Sequence, residues 1–243
     1  MNNGHLMDVE VAGTKAYVSV GFSQGLETYN ISDPFNPQRL SFGGNPNWRA
    51  KAYGDTFFTF CRENGLNIFN ISGATNLIGA CPSGGPSIFF EGGAIAGNDL
   101  YVAAHQNGIV RVNIGSLTNP YVVSAFQLTN NACWNLETYG EYLMIVNGRF
   151  GLSVVDITPN LNEVATLELP GLANDIVIDG DAAVISLGVS GIATVDISDP
   201  LNPELLDIHS TMGCAWGMGI EDHLVAVGSW RRWNYSTSAI RRI

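Results

Sequence analysis

Charge is scarce in this 243-residue chain. Only 14% of the residues are charged, against about 25% in an average soluble domain. That excludes a coiled coil, a charged disordered tail and a long exposed helical array. Bases are scarcer still: 11 Lys and Arg stand against 22 Asp and Glu, for a net charge of −11. A chain this acidic repels phosphate backbones, which excludes general nucleic-acid binding. No apolar run reaches the roughly 18 residues that a transmembrane helix needs. Four cysteines (Cys61, Cys81, Cys133, Cys214) are too few for a disulfide scaffold, and none forms a C-x-x-C pair. The H-E-x-x-H zinc pair and the G-x-x-x-x-G-K-[ST] phosphate loop are also missing.

What the chain has is glycine, 28 residues of it, and a repeat. AGTKAYVSV, YGDTFFTF, AGNDLYVAA, YGEYLMIV, DGDAAVISL and IEDHLVAV share one pattern. Their turn residues are Gly13, Gly54, Gly97, Gly140, Gly180 and Glu221, spaced 41, 43, 43, 40 and 41 apart. A second glycine keeps the same rhythm at Gly25, Gly65, Gly108, Gly151 and Gly191. It opens GLETYNIS, GLNIFNIS, GIVRVNIG, GLSVVDIT and GIATVDIS. Alternation and β-branched content predict four strands, A to D, in each unit, with no helix between them. Four strands every 40 to 43 residues is the period of a propeller blade.

The expected fold is therefore all-β: a β-propeller of four-stranded antiparallel blades, about six in number, five complete and a sixth partial. The blades are expected near 6–43, 46–80, 87–127, 131–169, 171–208 and 213–243, as a single domain over 1–243 or a segment of a longer propeller. Blade 6 has room for strands A, B and C but none for D. Val18, Phe58, Val102, Met144, Ile185 and Val225 are expected to be buried at one equivalent place in strand B.

LSVVDITP, IATVDISDPLNP and LETYNISDPFNP resemble the LVIVD repeat, found in bacterial and archaeal β-propellers that are often secreted or surface-attached. The resemblance implies a fold and no activity. Ile71-Ser72-Gly73 and Ile114-Gly115 lack its Asp-Pro turn, which predicts altered C–D turns in blades 2 and 3.

Blade topology puts A–B and C–D turns on one face, with B–C loops and D–A connections on the other. The first face collects acids, among them Asp33, Asp55, Asp179, Asp181 and Asp199. The second collects Arg49, Arg62, Arg149, Arg231 and Arg232, with Trp48, Trp134, Trp216, Trp230 and Trp233 on it or at its rim. Aromatic faces beside arginines suit sugar rings, and the guanidinium fork suits a carboxylate or sulfate. His105 closes strand B of blade 3, with Cys61 taken as its counterpart in blade 2. Cys133 and Cys214 are taken as counterparts at strand A mouths. Asp8, Glu91, Glu137 and Asp175 lie along strands A, where carboxylates do acid–base work on sugars or bind calcium; no other cofactor is implied.

The expectation is a non-catalytic propeller that binds a protein or an acidic glycan at the B–C face. Its ligand-binding residues would be Arg49, Arg62, Arg149, Arg231, Arg232, Trp48, Trp134, Trp230, Trp233 and His105. The alternatives are a polysaccharide lyase or glycoside hydrolase acting at the channel mouth, and a structural component of a larger extracellular assembly. The opening MNNGHLMDVEVAG reads as strand and not as a signal peptide. The chain is expected to be secreted or at the cell surface with its leader outside this sequence; the alternative is cytoplasmic. The oligomeric state is not legible from sequence.

Overall fold

A computed structural model describes residues 5–21, 25–221, 223–231 and 234–242. Every regular element among them is a strand, and no helix is long and apolar enough to cross a membrane. Blade 1 comprises β1 (His5–Ala12), β2 (Lys15–Gly21), β3 (Gly25–Asn30) and β4 (Gln38–Gly43). Blade 2 comprises β5 (Arg49–Tyr53), β6 (Thr56–Phe60), β7 (Leu66–Asn70) and β8 (Asn76–Cys81). Blade 3 comprises β9 (Gly92–Ala96), β10 (Asp99–Ala103), β11 (Ile109–Asn113) and β12 (Tyr121–Phe126). Blade 4 comprises β13 (Asn135–Tyr139), β14 (Tyr142–Val146), β15 (Leu152–Asp156) and β16 (Asn162–Leu167). Blade 5 comprises β17 (Asp175–Asp179), β18 (Ala182–Ser186), β19 (Ile192–Asp196) and β20 (Glu204–His209). The last sheet has three strands, β21 (Cys214–Glu221), β22 (Leu224–Arg231) and β23 (Asn234–Arg242). Each sheet keeps its strands in chain order, as an up-and-down β-propeller blade does.

The two glycine series have different causes. The first sits in the A–B turn: Gly13, Gly54, Gly97, Gly140 and Gly180 all have φ between 56 and 60°, with open space where a Cβ would go. Backbone handedness alone selects glycine there. The second series is also left-handed, and it is crowded as well. A Cβ on Gly65, Gly108, Gly151 or Gly191 would stand 2.0–2.2 Å from a carbonyl oxygen of Cys81, Phe126, Leu167 or His209. Strand C begins where strand D ends, and only a hydrogen fits between them.

The polar end of the strand C motif has a local job. Asn30, Asn70, Asn113, Asp156 and Asp196 each accept, at Oδ1, the backbone N–H two residues on, at 2.7–3.2 Å. This Asx turn ends the strand and starts the C–D connection. Blade 3 keeps the C–D turn of blades 1 and 5. Asn119 N–H donates to the Ser116 carbonyl at 3.1 Å, as Asn36 does to Asp33 and Asn202 to Asp199. The altered turn expected there does not occur, because the turn closes through the backbone. Blade 2 does have a shorter connection, Ser72–Ala74, and blade 4 shares it at Thr158–Asn160.

Strand B is the buried strand. In β6, β10, β14 and β18 every residue after the first is buried. Phe58, Val102, Met144, Ile185 and Val225 are at most 1% exposed, but Val18 is half-buried. Counting from the turn residues, these six occupy two adjacent positions and not one equivalent place. Both faces of strand B are covered, so position along it scarcely matters.

The chain divides into two compact units, residues 1–104 with 110–124, and residues 105–109 with 125–243. In the first, Phe58, Phe60, Leu66, Ile68, Phe90, Leu100, Val102 and Val112 form the main core. In the second, Met144, Val146, Leu152, Val154, Ile176, Ile185, Leu187 and Val195 do so.

Candidate functional site

The B–C turn is where the repeats differ most in chemistry. Its backbone is constant. In blade 2, Asn64 N–H donates to the Cys61 carbonyl and Gly65 N–H to Arg62; in blade 4, Phe150 donates to Asn147 and Gly151 to Gly148. The second turn residue is left-handed in four blades: Arg62 and His105 at φ 50°, Gly148 at 57° and Gly188 at 61°. That same residue bridges to the start of the following repeat, Arg62 with Phe90, His105 with Cys133, Gly148 with Ala173 and Gly188 with Ala215.

These bridges correct two expected correspondences. The counterpart of His105 is Arg62, and Cys61 matches Ala104. The counterpart of Cys133 is Ala215: the pair Glu221–Leu224 corresponds to Tyr139–Tyr142, so the A–B turn of blade 6 comes one residue later than the count from Glu221 supposes. One enzyme-like spacing also occurs in a B–C turn. Gly21-Phe22-Ser23-Gln24-Gly25 reads G-x-S-x-G, but strands β2 and β3 flank it where a nucleophile elbow needs a strand and a helix. Phe22, Ser23 and Gln24 lie outside the described residues.

In the first unit the left-handed arginine builds a nest. The Arg62 guanidinium carbon stands 4.7 Å from the Trp48 ring centroid and 4.6 Å from that of Phe89. Trp48 is held at the mouth of β5 by its N–H, which donates to the Phe60 carbonyl at 2.8 Å. Arg62 Nε lies 3.4 Å from Glu91 Oε1, an ion pair without an aligned hydrogen bond. Glu91 is 1% exposed, and neither of its oxygens accepts a hydrogen bond among the described residues. Burial pushes its carboxyl up to about 7, against the opposing pull of Arg62 and Arg49 and with a further push from Glu63. A buried carboxyl that is neither solvated nor hydrogen-bonded resists ionising. Arg49 is itself 9% exposed. It acts on Glu91 by its field and does not stand on the surface as an open ligand arm.

The second unit holds an aromatic run. The His105 ring meets the Trp134 ring edge-on at 4.8 Å between centroids, and Trp134 meets Trp216 edge-on at 6.1 Å. Arg149 is exposed, with its guanidinium 4.8 Å from the Phe150 ring. It stands one residue further along its turn than Arg62 does. Arg232 and Trp233 lie outside the described residues, and Trp230 and Arg231 are described by backbone alone.

The acids expected along strands A are engaged elsewhere. Asp8 Oδ2 accepts the Ala50 N–H and Glu10 Oε1 the Ala52 N–H, each at 3.0 Å. Asp175 accepts from Met218 N–H and from Asn135 Nδ2, both at 2.7 Å. Innermost strands of neighbouring blades form no ladder, so carboxylates satisfy the backbone donors instead. All four cysteines are free, including Cys61 and Cys81. Burial pushes the Cys61 thiol up to about 11 and the Cys133 thiol up to about 12, so both stay protonated. Among the described residues no group of three His, Cys, Asp or Glu side chains is assembled to hold a metal.

Glu91 was legible as a strand A acid but not as a partner of Arg62. The signal was its column: counted six residues back from the turn glycine, Trp48, Glu91 and Trp134 coincide. Phe89 carries no sequence signal, being one of two adjacent phenylalanines.

Residues 94–127, 132–163 and 170–211 match the family model of the LVIVD repeat. LSVVDITP and IATVDISDPLNP fall inside these segments, and LETYNISDPFNP of blade 1 falls outside them. No curated protein matches the sequence. Among solved structures, a chain from a mitotic checkpoint complex is similar with a TM-score of 0.77 and 11% identity, over 94% of this chain and 76% of that one. A protein from Lactobacillus plantarum is similar at 0.75 and 13%, over 98% and 83%. A computationally designed protein, Ika8, is similar at 0.66 and 14%, over 93% and 70%. At such identities the likeness concerns the fold alone. With the blade topology, this chain is a β-propeller in which three segments match the LVIVD repeat.

Proposed function

We propose that this chain is a non-catalytic binding propeller, whose Arg62 nest on the B–C face receives an acidic group of a protein or glycan partner. One observation carries the reading. Arg62 holds a left-handed backbone that blades 4 and 5 give to glycine. A side chain there costs about 1–2 kcal/mol relative to glycine, and such strain concentrates where a side chain has a task. Stacked between Trp48 and Phe89, the guanidinium keeps its N–H fork in a fixed plane, the geometry that takes a carboxylate or sulfate. Protonation of Glu91 releases Arg62 for that role. The setting proposed with this reading is the cell surface or extracellular space, in keeping with the resemblance to LVIVD propellers. Lyase or hydrolase chemistry has less support, since Asp8, Glu10 and Asp175 are committed to backbone donors.

Calorimetric titration with a glucuronate-containing oligosaccharide and with a poly-glutamate peptide tests this. One of the two should bind the native chain, more weakly in high salt. Arg62→Gly should abolish that binding, while replacing Asp179 and Asp181 by Asn on the opposite face should preserve it. Equal binding by both variants would overturn the assignment.

A further inference from the structure

We infer that β12 is a homotypic pairing edge, through which two copies of this chain join their blade 3 sheets. The inference does not depend on the acidic-ligand reading. β12 ends its sheet, in the order β12-β11-β10-β9, so one side of its backbone has no neighbouring strand in that sheet. Tyr121, Val122 and Val123 are 56, 41 and 45% exposed, and Ser124 and Ala125 are exposed as well. An exposed apolar edge strand is a template for another strand.

The terminal strands of the other complete blades are blunted. β4 carries Arg39, β16 carries Glu163, and β20 carries Glu204 and Asp207. These edges expose apolar groups too, including Phe42 and Leu206. Their charges, however, would bring like against like in any self-pairing. β8 is uncharged, but a Cβ at its Gly79 would stand 1.9 Å from the Leu117 carbonyl oxygen, so the C–D turn of blade 3 lies against that strand. β12 carries no charge and its first five residues are all exposed, although the Val122 backbone bonds the Cys81 thiol of β8. No charged residue occurs anywhere from Val112 to Leu136.

Charge also selects the occupant. Two chains of net −11 repel each other over most of their surfaces. They can approach closely only through a surface without acids, and β12 offers one. A charged partner would find no counter-charge on this strand. Antiparallel pairing about a two-fold axis needs nothing but the same strand again, and it sets Tyr121 and the valines among each other as cross-strand pairs.

Sedimentation velocity of the whole chain tests the inference. The weight-average mass should rise toward twice that of one chain as concentration increases, and dimerisation should strengthen with salt, which screens the repulsion. Val122→Lys and Val123→Lys, each checked for unchanged thermal unfolding, should leave a single species with the mass of one chain. Leu206→Lys on β20 should still dimerise. A native chain that is monomeric at every concentration would overturn the inference. So would a dimer that survives both lysine variants, or one that only Leu206→Lys dissolves.

Discussion

The B–C turns of blades 2 and 4 have one backbone and two chemistries. Both close on a glycine, Gly65 or Gly151, whose Cβ would meet a carbonyl oxygen at 2.1 or 2.2 Å. Both bridge to the following repeat from a left-handed residue, Arg62 or Gly148. Blade 4 puts glycine there, where a Cβ would crowd Ala132 Cβ at 3.1 Å and Trp134 Nε1 at 3.3 Å. Blade 2 accepts the strain and sets a guanidinium over Trp48, Phe89 and the buried Glu91. The difference teaches that a repeat separates two demands. The closing glycine serves the fold, and the residue three positions before it is free to carry function.

The largest expected effect breaks what the two turns share. Gly151→Ala should cost roughly 3–5 kcal/mol, since the backbone of β15 and β16 must part to admit a methyl at a left-handed site. Denaturant unfolding measures it, and a cost under about 1 kcal/mol would show that the close approach relaxes freely.

The next effect comes from Glu91, which has no buried acid opposite it in blade 4. Its folded carboxyl titrates near 7, above its ordinary value of 4.5. Between those values the folded chain binds more protons than the unfolded one. Stability therefore falls as pH rises through that window and stays lower above it. Glu91→Gln should gain roughly 2–4 kcal/mol over the native chain in mild alkali, and nothing near or below the ordinary carboxyl range. Parallel pH profiles of unfolding for the two proteins would contradict this.

A smaller effect swaps the turns themselves. Arg62→Gly relieves the left-handed strain and loses two ring contacts and an ion pair that is one-third exposed at Arg62 and buried at Glu91. The balance should stay within about 1 kcal/mol of zero. An equilibrium denaturation curve checks it, and a larger loss would make Arg62 a structural residue. Smallest of all should be Asp199→Ala in the C–D turn of blade 5. Its Oδ1 accepts the exposed Leu201 N–H at 3.0 Å, but the backbone bond from Asn202 to Asp199 remains. The change should be about 0.5 kcal/mol in thermal unfolding.

The repeat was legible because both glycine series answer to backbone constraints, which recur at a fixed period. The end of strand C was legible for the same reason, in the Asn or Asp that caps each turn. Local chemistry was less so. The match of Arg62 with His105 was legible, since each stands eight residues after the A–B turn glycine and three before the closing one, with Cys61 one place earlier. Cys214 was matched to Cys133 because the sixth turn has no glycine to mark it, and Glu221 proves to pair with Leu224 as the last residue of the strand. The column of Trp48, Glu91 and Trp134 was countable, but that Arg62 would cover Glu91 depends on a side chain crossing from one repeat to the next. Arg49 was read as an open arm although the first residue of β5 is nearly enclosed.

The central claim is that Arg62 exchanges an internal acid, Glu91, for an external one. Calorimetric titration of the acidic probe on either side of neutrality, in buffers of different ionisation enthalpy, tests it most directly. The account predicts tighter binding about one pH unit below neutrality than one unit above, with uptake of up to one proton per ligand and loss of that uptake in Glu91→Gln. Binding with no proton uptake, and with the same affinity in native and Glu91→Gln chains at both pH values, would contradict it.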